Sequence, residues 1–247
     1  MSLQRRLPRL SQFRRVELPT PRQAALLQRK TWAVRASKVG LLLSRFESSF
    51  SLVCTDGGVV QRATVLYLDT ADERCQFHAI RGTTPRFQVR HHGDLQTESC
   101  RLEVSVYTAN EREQTESVRI TRLGFQDARA NNWLRQRLPF DPMLLQPSVR
   151  STFTRLTLCD RHGARLEIDL DLLFTLGASK NRSGALARVS LVGPPPLNTQ
   201  LVDAAITDLE EQAEHTSPWP FALPMVCLRE RDQAVARPDP APIRVTA

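Results

Sequence analysis

Lysine is nearly missing from this sequence. Of its 34 basic residues only Lys30, Lys38 and Lys180 are lysines, and the rest are arginines. Glycine is sparse as well, with 10 in 247 residues, and neither a P-loop nor a G-x-G-x-x-G pattern occurs. Ser, His and Asp are present without the glycine pattern of a nucleophile elbow. The five cysteines (Cys54, Cys75, Cys100, Cys159, Cys227) form no C-x-x-C pair, and no histidine stands at metal-ligand spacing from them. That argues against a zinc site or a disulfide framework and fits a reducing compartment. Long apolar runs are lacking too: Val39–Leu43 and Ile168–Leu176 are short or interrupted by charge, well below the ~20 residues that span a bilayer. The N-terminus has no apolar signal core or small-residue cleavage site. A cytoplasmic location follows as the default, with association to a membrane through a partner or a basic segment as the alternative.

What is present is a soluble composition, 41% hydrophobic and 24% charged, long enough for one large domain or at most two small ones. The net charge of +8 is unevenly placed. Residues 1–30 carry eight basic side chains against the single acid Glu17, and the remainder is nearly neutral. Residues 1–26, with Pro8, Pro19 and Pro21 among arginines, are expected to form a flexible basic arm, and 229–247 a Pro/Arg-containing tail. The arm suits an acidic membrane surface or nucleic acid, although Phe13 is its one aromatic, too little for a stacking platform. The folded unit is expected over 27–228.

Within that unit, period-2 alternation predicts strands at Thr64–Leu68, Pro85–His91, Arg101–Tyr107, Ser117–Thr121, Ser148–Cys159, Arg165–Leu170 and Leu186–Val192. Helices are expected at Ser37–Phe50, with Ser37 as N-cap, at Phe125–Leu138, and at Asn198–His215, whose apolar side is read as Leu201, Ala204, Ala205 and Leu209. Each strand has one apolar face and one rich in arginine and carboxylate, since side chains at i and i+2 point the same way. Two architectures satisfy this pattern. One is an open antiparallel sheet with its polar face in water. The other is an α+β fold: a closed antiparallel barrel of about eight strands, its polar lumen rich in arginine, flanked by about three helices covering the apolar outside. In the barrel, Arg86, Arg90, Arg101, Arg119, Arg155, Arg165 and Arg188 would meet Glu103, Glu167 and Asp169, and so positive a cavity calls for an anion or water.

The order of motifs resembles the VTC domain of polyphosphate polymerases, a branch of the triphosphate tunnel metalloenzyme (CYTH-like) superfamily, over about residues 28–228. The segments that carry the resemblance are Tyr67-Leu-Asp-Thr70, a turn at Gly82, Arg86-Phe-Gln-Val-Arg-His-His-Gly93, Glu103-Val-Ser105, Val118-Arg119, Pro147-Ser-Val-Arg-Ser-Thr-Phe-Thr-Arg155, Arg165-Leu-Glu-Ile-Asp169 and Leu172-Leu-Phe174. His92 stands in for the family's tyrosine, while His91 is read as a surface residue. The family's glutamate and lysine positions have departed: Arg29-Lys-Thr31 and Arg188-Val-Ser190 align on its two E-x-K strands, Gln88 and Ser105 replace cations, and Ser217-Pro218-Trp219 replaces S-K-Y/F.

The resemblance implies phosphate binding by Arg86, Arg90, Arg119, Arg155 and Arg165, whose planar forks suit phosphate oxygens. It implies Mn²⁺ or Mg²⁺ at Glu103 and Asp169 if the protein is catalytically active. The partner would be polyphosphate or a nucleoside triphosphate. Three readings stay open: a tunnel that binds polyphosphate or triphosphate with catalysis lost or weakened; an active polymerase moving the ATP γ-phosphoryl group onto polyphosphate; and a structural domain whose function lies in the basic arm.

Overall fold

Strands with one charged and one apolar face leave two problems, unpaired edges and an apolar surface in water, and closure under a helical cover solves both. The computed structural model describes residues 8–17, 27–54, 58–72, 75, 86–95, 99–107, 113–120, 128–176, 179–183 and 186–210. Eleven strands occur among them: β1 (Arg15–Glu17), β2 (Leu27–Arg35), β3 (Phe50–Cys54), β4 (Val60–Asp69), β5 (Arg86–Asp94), β6 (Cys100–Tyr107), β7 (Glu113–Ile120), β8 (Gln146–Asp160), β9 (Arg165–Leu176), β10 (Ser179–Ser183) and β11 (Leu186–Gly193). Their order in the sheet is β1-β3-β8-β4-β5-β6-β7-β2-β11-β9-β10, and β8 also pairs with β9. Eight strands therefore close a ring, β8-β4-β5-β6-β7-β2-β11-β9, in which each neighbouring pair is antiparallel. The open sheet is excluded. Outside the ring, β3 extends from the far end of β8, with β1 parallel to it, and β10 lies on β9.

Among the described residues three α-helices cover the outside: α1 (Val39–Phe46), α2 (Ala128–Arg135) and α3 (Gln200–Glu210). One outer core joins Leu156, Leu158, Leu166, Ile168, Val189 and Leu191 to Leu42, Leu43 and Phe46 of α1 and Val202, Ala205 and Ile206 of α3. A second sets Leu68, Val89, Leu102 and Val104 against Ala130 and Leu134 of α2. Each fully buried leucine here contributes ~1.5–3 kcal/mol, which is what binds the helices to the barrel.

The first helix is shorter than its pattern suggests. Ser37 makes no side-chain cap and lies inside a 3-10 turn, Ala36–Lys38. Phe46 and Phe50 have helical i, i+4 spacing and touch edge to face at 5.2 Å, yet Ser49 N–H already closes a turn onto Phe46 C=O and Phe50 opens β3. On α3 the buried side is Val202, Ala205 and Ile206, while Leu201 and Ala204 are exposed. The rotation is set by Asp203, which accepts from Lys30 Nζ at 2.7 and 2.9 Å, from Trp32 Nε1 at 3.1 Å and from Thr199 Oγ1 at 2.6 Å.

Part of the segment expected as an arm is packed: Leu10 and Phe13 are buried in the first outer core and β1 pairs with β3. The rest of that arm, the turn at Gly82, Ser217-Pro218-Trp219 and the tail 229–247 lie outside the described residues. No helix among the described residues is long and apolar enough to cross a membrane.

Candidate functional site

Partners directly opposite in an antiparallel ladder share a face, so the ladders show which side chains the barrel turns inward. Arg188 stands opposite Asp169 and Ala33, Ser190 opposite Glu167 and Thr31, Arg155 opposite Asp169, and Arg90 opposite Tyr67 and Glu103. With Arg29, Arg101 and Arg165 in the same phase, the lumen collects six guanidinium groups and three carboxylates among the described residues. This charge excess of three is held in a network. Arg155 donates to Asp169 with Nε at 2.6 Å and Nη2 at 3.0 Å, and its Nη1 lies 3.0 Å from Glu167. Arg188 donates from Nε to Asp169 at 2.8 Å and from Nη1 to the Tyr67 hydroxyl at 2.9 Å. Arg29 bridges Glu167 at 3.2 Å and Glu103 at 3.8 Å. Glu103 also meets Arg90 at 3.3 Å, Arg101 at 3.2 Å and His92 Nε2 at 2.7 Å. Beyond it, Arg90 donates to Ser105, whose hydroxyl contacts that of Thr115.

Burial alone would push these carboxylates toward the neutral acid. Against that, Arg155 and Arg29 hold Glu167 below the ordinary carboxylate range, Arg155 and Arg188 do the same for Asp169, and His92, Arg101 and Arg90 do so for Glu103. Burial likewise opposes the charge on Arg155 and Arg188, and their acidic neighbours outweigh it. His92 goes the other way. Burial lowers its pKa to about 3, and the pull of Glu103 is partly cancelled by Arg101 and Arg90, so the ring is neutral.

The mouth is different. Arg101 and Arg119 stand directly opposite each other on β6 and β7, a like-charge pair that is unfavourable by itself. Arg165 makes no ion pair or hydrogen bond with the described residues. Its pKa is lowered by burial, against the pull of Glu167, with Arg101 and Arg29 adding repulsion that Glu103 offsets in part.

Of the residues expected to bind phosphate, the structure brings Arg90, Arg155 and Arg165 together. Arg119 sits at the exposed rim instead of in the lumen, because β7 carries it past the level of Glu103 to face Arg101. The side chain of Arg86 lies outside the described ones. Arg29 and Arg188, read as departures from a motif, are members of the network, and their period-2 places on β2 and β11 carry the signal. Tyr67 is a third member, which its motif position alone did not reveal.

The inner face also holds an apolar cluster of Val65, Tyr67, Val149, Phe153, Leu172 and Phe174. Phe153 lies beneath two guanidinium groups, with Arg155 at 5.0 Å and Arg188 at 4.9 Å from its ring. Leu172 and Phe174 reach the interior through a bulge: Thr152 opposes Leu173 but Thr154 opposes Leu170, so one extra residue lies on β9. Asp171, at φ 53°, supplies the turn in phase.

Glu103 and Asp169 do not fit a divalent metal. A protein holds Mg²⁺ or Mn²⁺ mainly through one or two carboxylates, and those of Glu103, Glu167 and Asp169 already face guanidinium groups at 2.6–3.8 Å. No group of three or more His, Cys, Asp or Glu among the described residues is placed to hold one. The cavity left between Arg29, Thr31, Tyr67, Arg90, Arg155 and Arg188 is about 10 Å³, room for roughly one water.

No protein-family model matches the sequence, and no curated protein does. Solved structures do. A protein from Bacillus halodurans provisionally assigned as an adenylate cyclase matches with a TM-score of 0.53 at 9% identity, covering 79% of this chain and 95% of that one. An adenylyl cyclase candidate from Hippeastrum with a dominant triphosphatase activity matches at 0.47 and 12% identity, over 82% and 96%. A provisional adenylate cyclase from Vibrio parahaemolyticus matches at 0.45 and 11%, over 83% and 99%. At 9% identity the first of these likenesses is one of fold, and the fold it establishes is the closed eight-stranded tunnel barrel.

Proposed function

We propose that residues 27–228 form a VTC-like tunnel domain that binds triphosphate or polyphosphate, with catalysis lost. The observation that carries this reading is the lumen's charge: six guanidinium groups against three carboxylates, one of the six, Arg165, without a direct partner among the described residues. Buried cations in excess need an anion, and a chain of phosphoryl groups offers oxygens at the spacing of several forks. In this reading Arg101, Arg119 and Arg165 meet the chain at the mouth. Arg90 and Arg155 hold it deeper by exchanging a carboxylate oxygen for a phosphate oxygen. The likeness of fold to a provisional adenylate cyclase is consistent with a phosphate-chain ligand but names none.

Loss of catalysis rests on the donor set. Phosphoryl transfer from ATP needs charge neutralisation at the transferred group, for which a metal ion supplies several kcal/mol, and these carboxylates are already bound to arginine.

The test is to titrate tripolyphosphate into the purified protein, and separately to incubate it with ATP and Mn²⁺ and run the products on a gel. Binding without long-chain polyphosphate is expected. Synthesis of long chains would establish the active polymerase instead, and absence of any binding would leave the barrel a structural domain.

A further inference from the structure

Resting on that reading, we infer that the lumen takes its ligand as the metal-free anion, about three phosphoryl charges held by guanidinium alone, and that Mg²⁺ or Mn²⁺ withdraws the ligand instead of anchoring it. The first argument is balance of charge. Among the described residues six arginines and three carboxylates leave three positive charges, and His92 is neutral. Each internal phosphoryl group of a chain carries one negative charge, so three neutralise the cavity. A magnesium ion bound to the chain cancels two of its negative charges and so leaves less counter-charge to offset the guanidinium excess.

The second argument is coordination. A divalent ion entering beside Asp169 would have to strip a 2.6 Å Arg155 contact and a 2.7 Å Arg188 contact from the carboxylate, freeing two buried guanidinium groups for each ligand gained. Arg188 already fills the cationic role there. It is anchored on one side by Asp169 and on the other by the Tyr67 hydroxyl, with its plane near Phe153. Arg165, unpaired among the described residues, is the natural first contact.

The experiment is isothermal titration of the full chain with sodium tripolyphosphate in EDTA, and again with Mg²⁺ or Mn²⁺ in excess of the ligand, alongside Arg165→Ala. Removing Arg165 strips no described carboxylate of an ion pair, so an unchanged melting temperature is expected and serves as control. Binding in EDTA, weakened about tenfold or more (~1.4 kcal/mol) by either metal and by Arg165→Ala, supports the inference. Binding that appears or strengthens only with metal overturns it while leaving the phosphate-binding tunnel standing. No binding in either buffer overturns the tunnel reading and the inference with it. Wild-type affinity in Arg165→Ala shows that this arginine carries no phosphate and overturns the inference, while the tunnel reading then stands on Arg90 and Arg155.

Discussion

Asp169 is the residue on which the lumen turns. It is fully buried, it receives both Arg155 and Arg188, and its removal would leave two guanidinium groups short of their counter-ion. Asp169→Ala is expected to cost ~3–5 kcal/mol in urea unfolding, the usual penalty for orphaning buried charge. The same network makes the protein sensitive to acid. Glu103, Glu167 and Asp169 have folded pKa values below their unfolded ones, so the stability they contribute is present above the ordinary carboxylate range and is lost as pH falls through and below it. His92 adds an earlier loss. Its pKa of about 3 in the fold against 6.5 when free means that the unfolded chain takes up a proton the folded chain refuses. Stability should therefore fall between pH 6.5 and 4.5 with a slope of up to ~1.4 kcal/mol per pH unit. His92→Gln should flatten that slope in urea titrations at pH 7, 6 and 5. At this scale the sequence was informative about direction: alternation puts Arg90, Arg155, Arg165, Glu103 and Asp169 on inward faces. It was silent on pairing, because whether Arg188 meets a phosphate or Asp169 depends on how β9 and β11 are staggered.

Among the elements, β9 is where local pattern and structure part. Its alternation runs Arg165, Glu167, Asp169 toward the interior, and continued in phase it would bring Asp171 and Leu173 there next. The bulge at Asp171 shifts the phase by one, and Leu172 and Phe174 enter instead. A one-residue slip in a strand reverses every later side chain, and deletion of Asp171 removes the bulge while leaving Leu172 and Phe174 in the regular inward phase after Asp169, so the deletion variant should keep both in the inner cluster and still unfold cooperatively in urea. The left-handed backbone there tolerates Asp or Asn but penalises a β-branched residue. Asp171→Val is expected to destabilise by ~1–2 kcal/mol, and Asp171→Asn by less than half of that, both measured by thermal and urea unfolding. The helices were legible in number and rough position because apolar residues recur at helical spacing. Their ends and rotation were not: Phe50 belongs to a strand, and α3 is turned by the anchoring of Asp203 to Lys30, Trp32 and Thr199.

For the whole molecule, closure is the decisive feature. Among the described residues the ring is completed where β2 meets β7, Leu27 with Thr115, Gln28 with Gln114 and Arg29 with Glu113. In hydrogen exchange, tripolyphosphate is expected to slow the amides of residues 27–29 and 113–115 by tying Arg29 and Arg165 to one anion. Exchange there that tripolyphosphate leaves unchanged would contradict the expectation.

The sequence by itself determined two-faced strands, three apolar helical segments and an arginine-rich polar face, since these depend on the spacing of residues along one strand or helix. Only the tertiary structure decided that the polar faces enclose a lumen, that Arg29, Arg188 and Tyr67 join it, and that the carboxylates are bound by arginine. Those outcomes depend on which strands meet and at what stagger, and the contacts involved join residues as much as 159 positions apart, far beyond any periodicity in the chain.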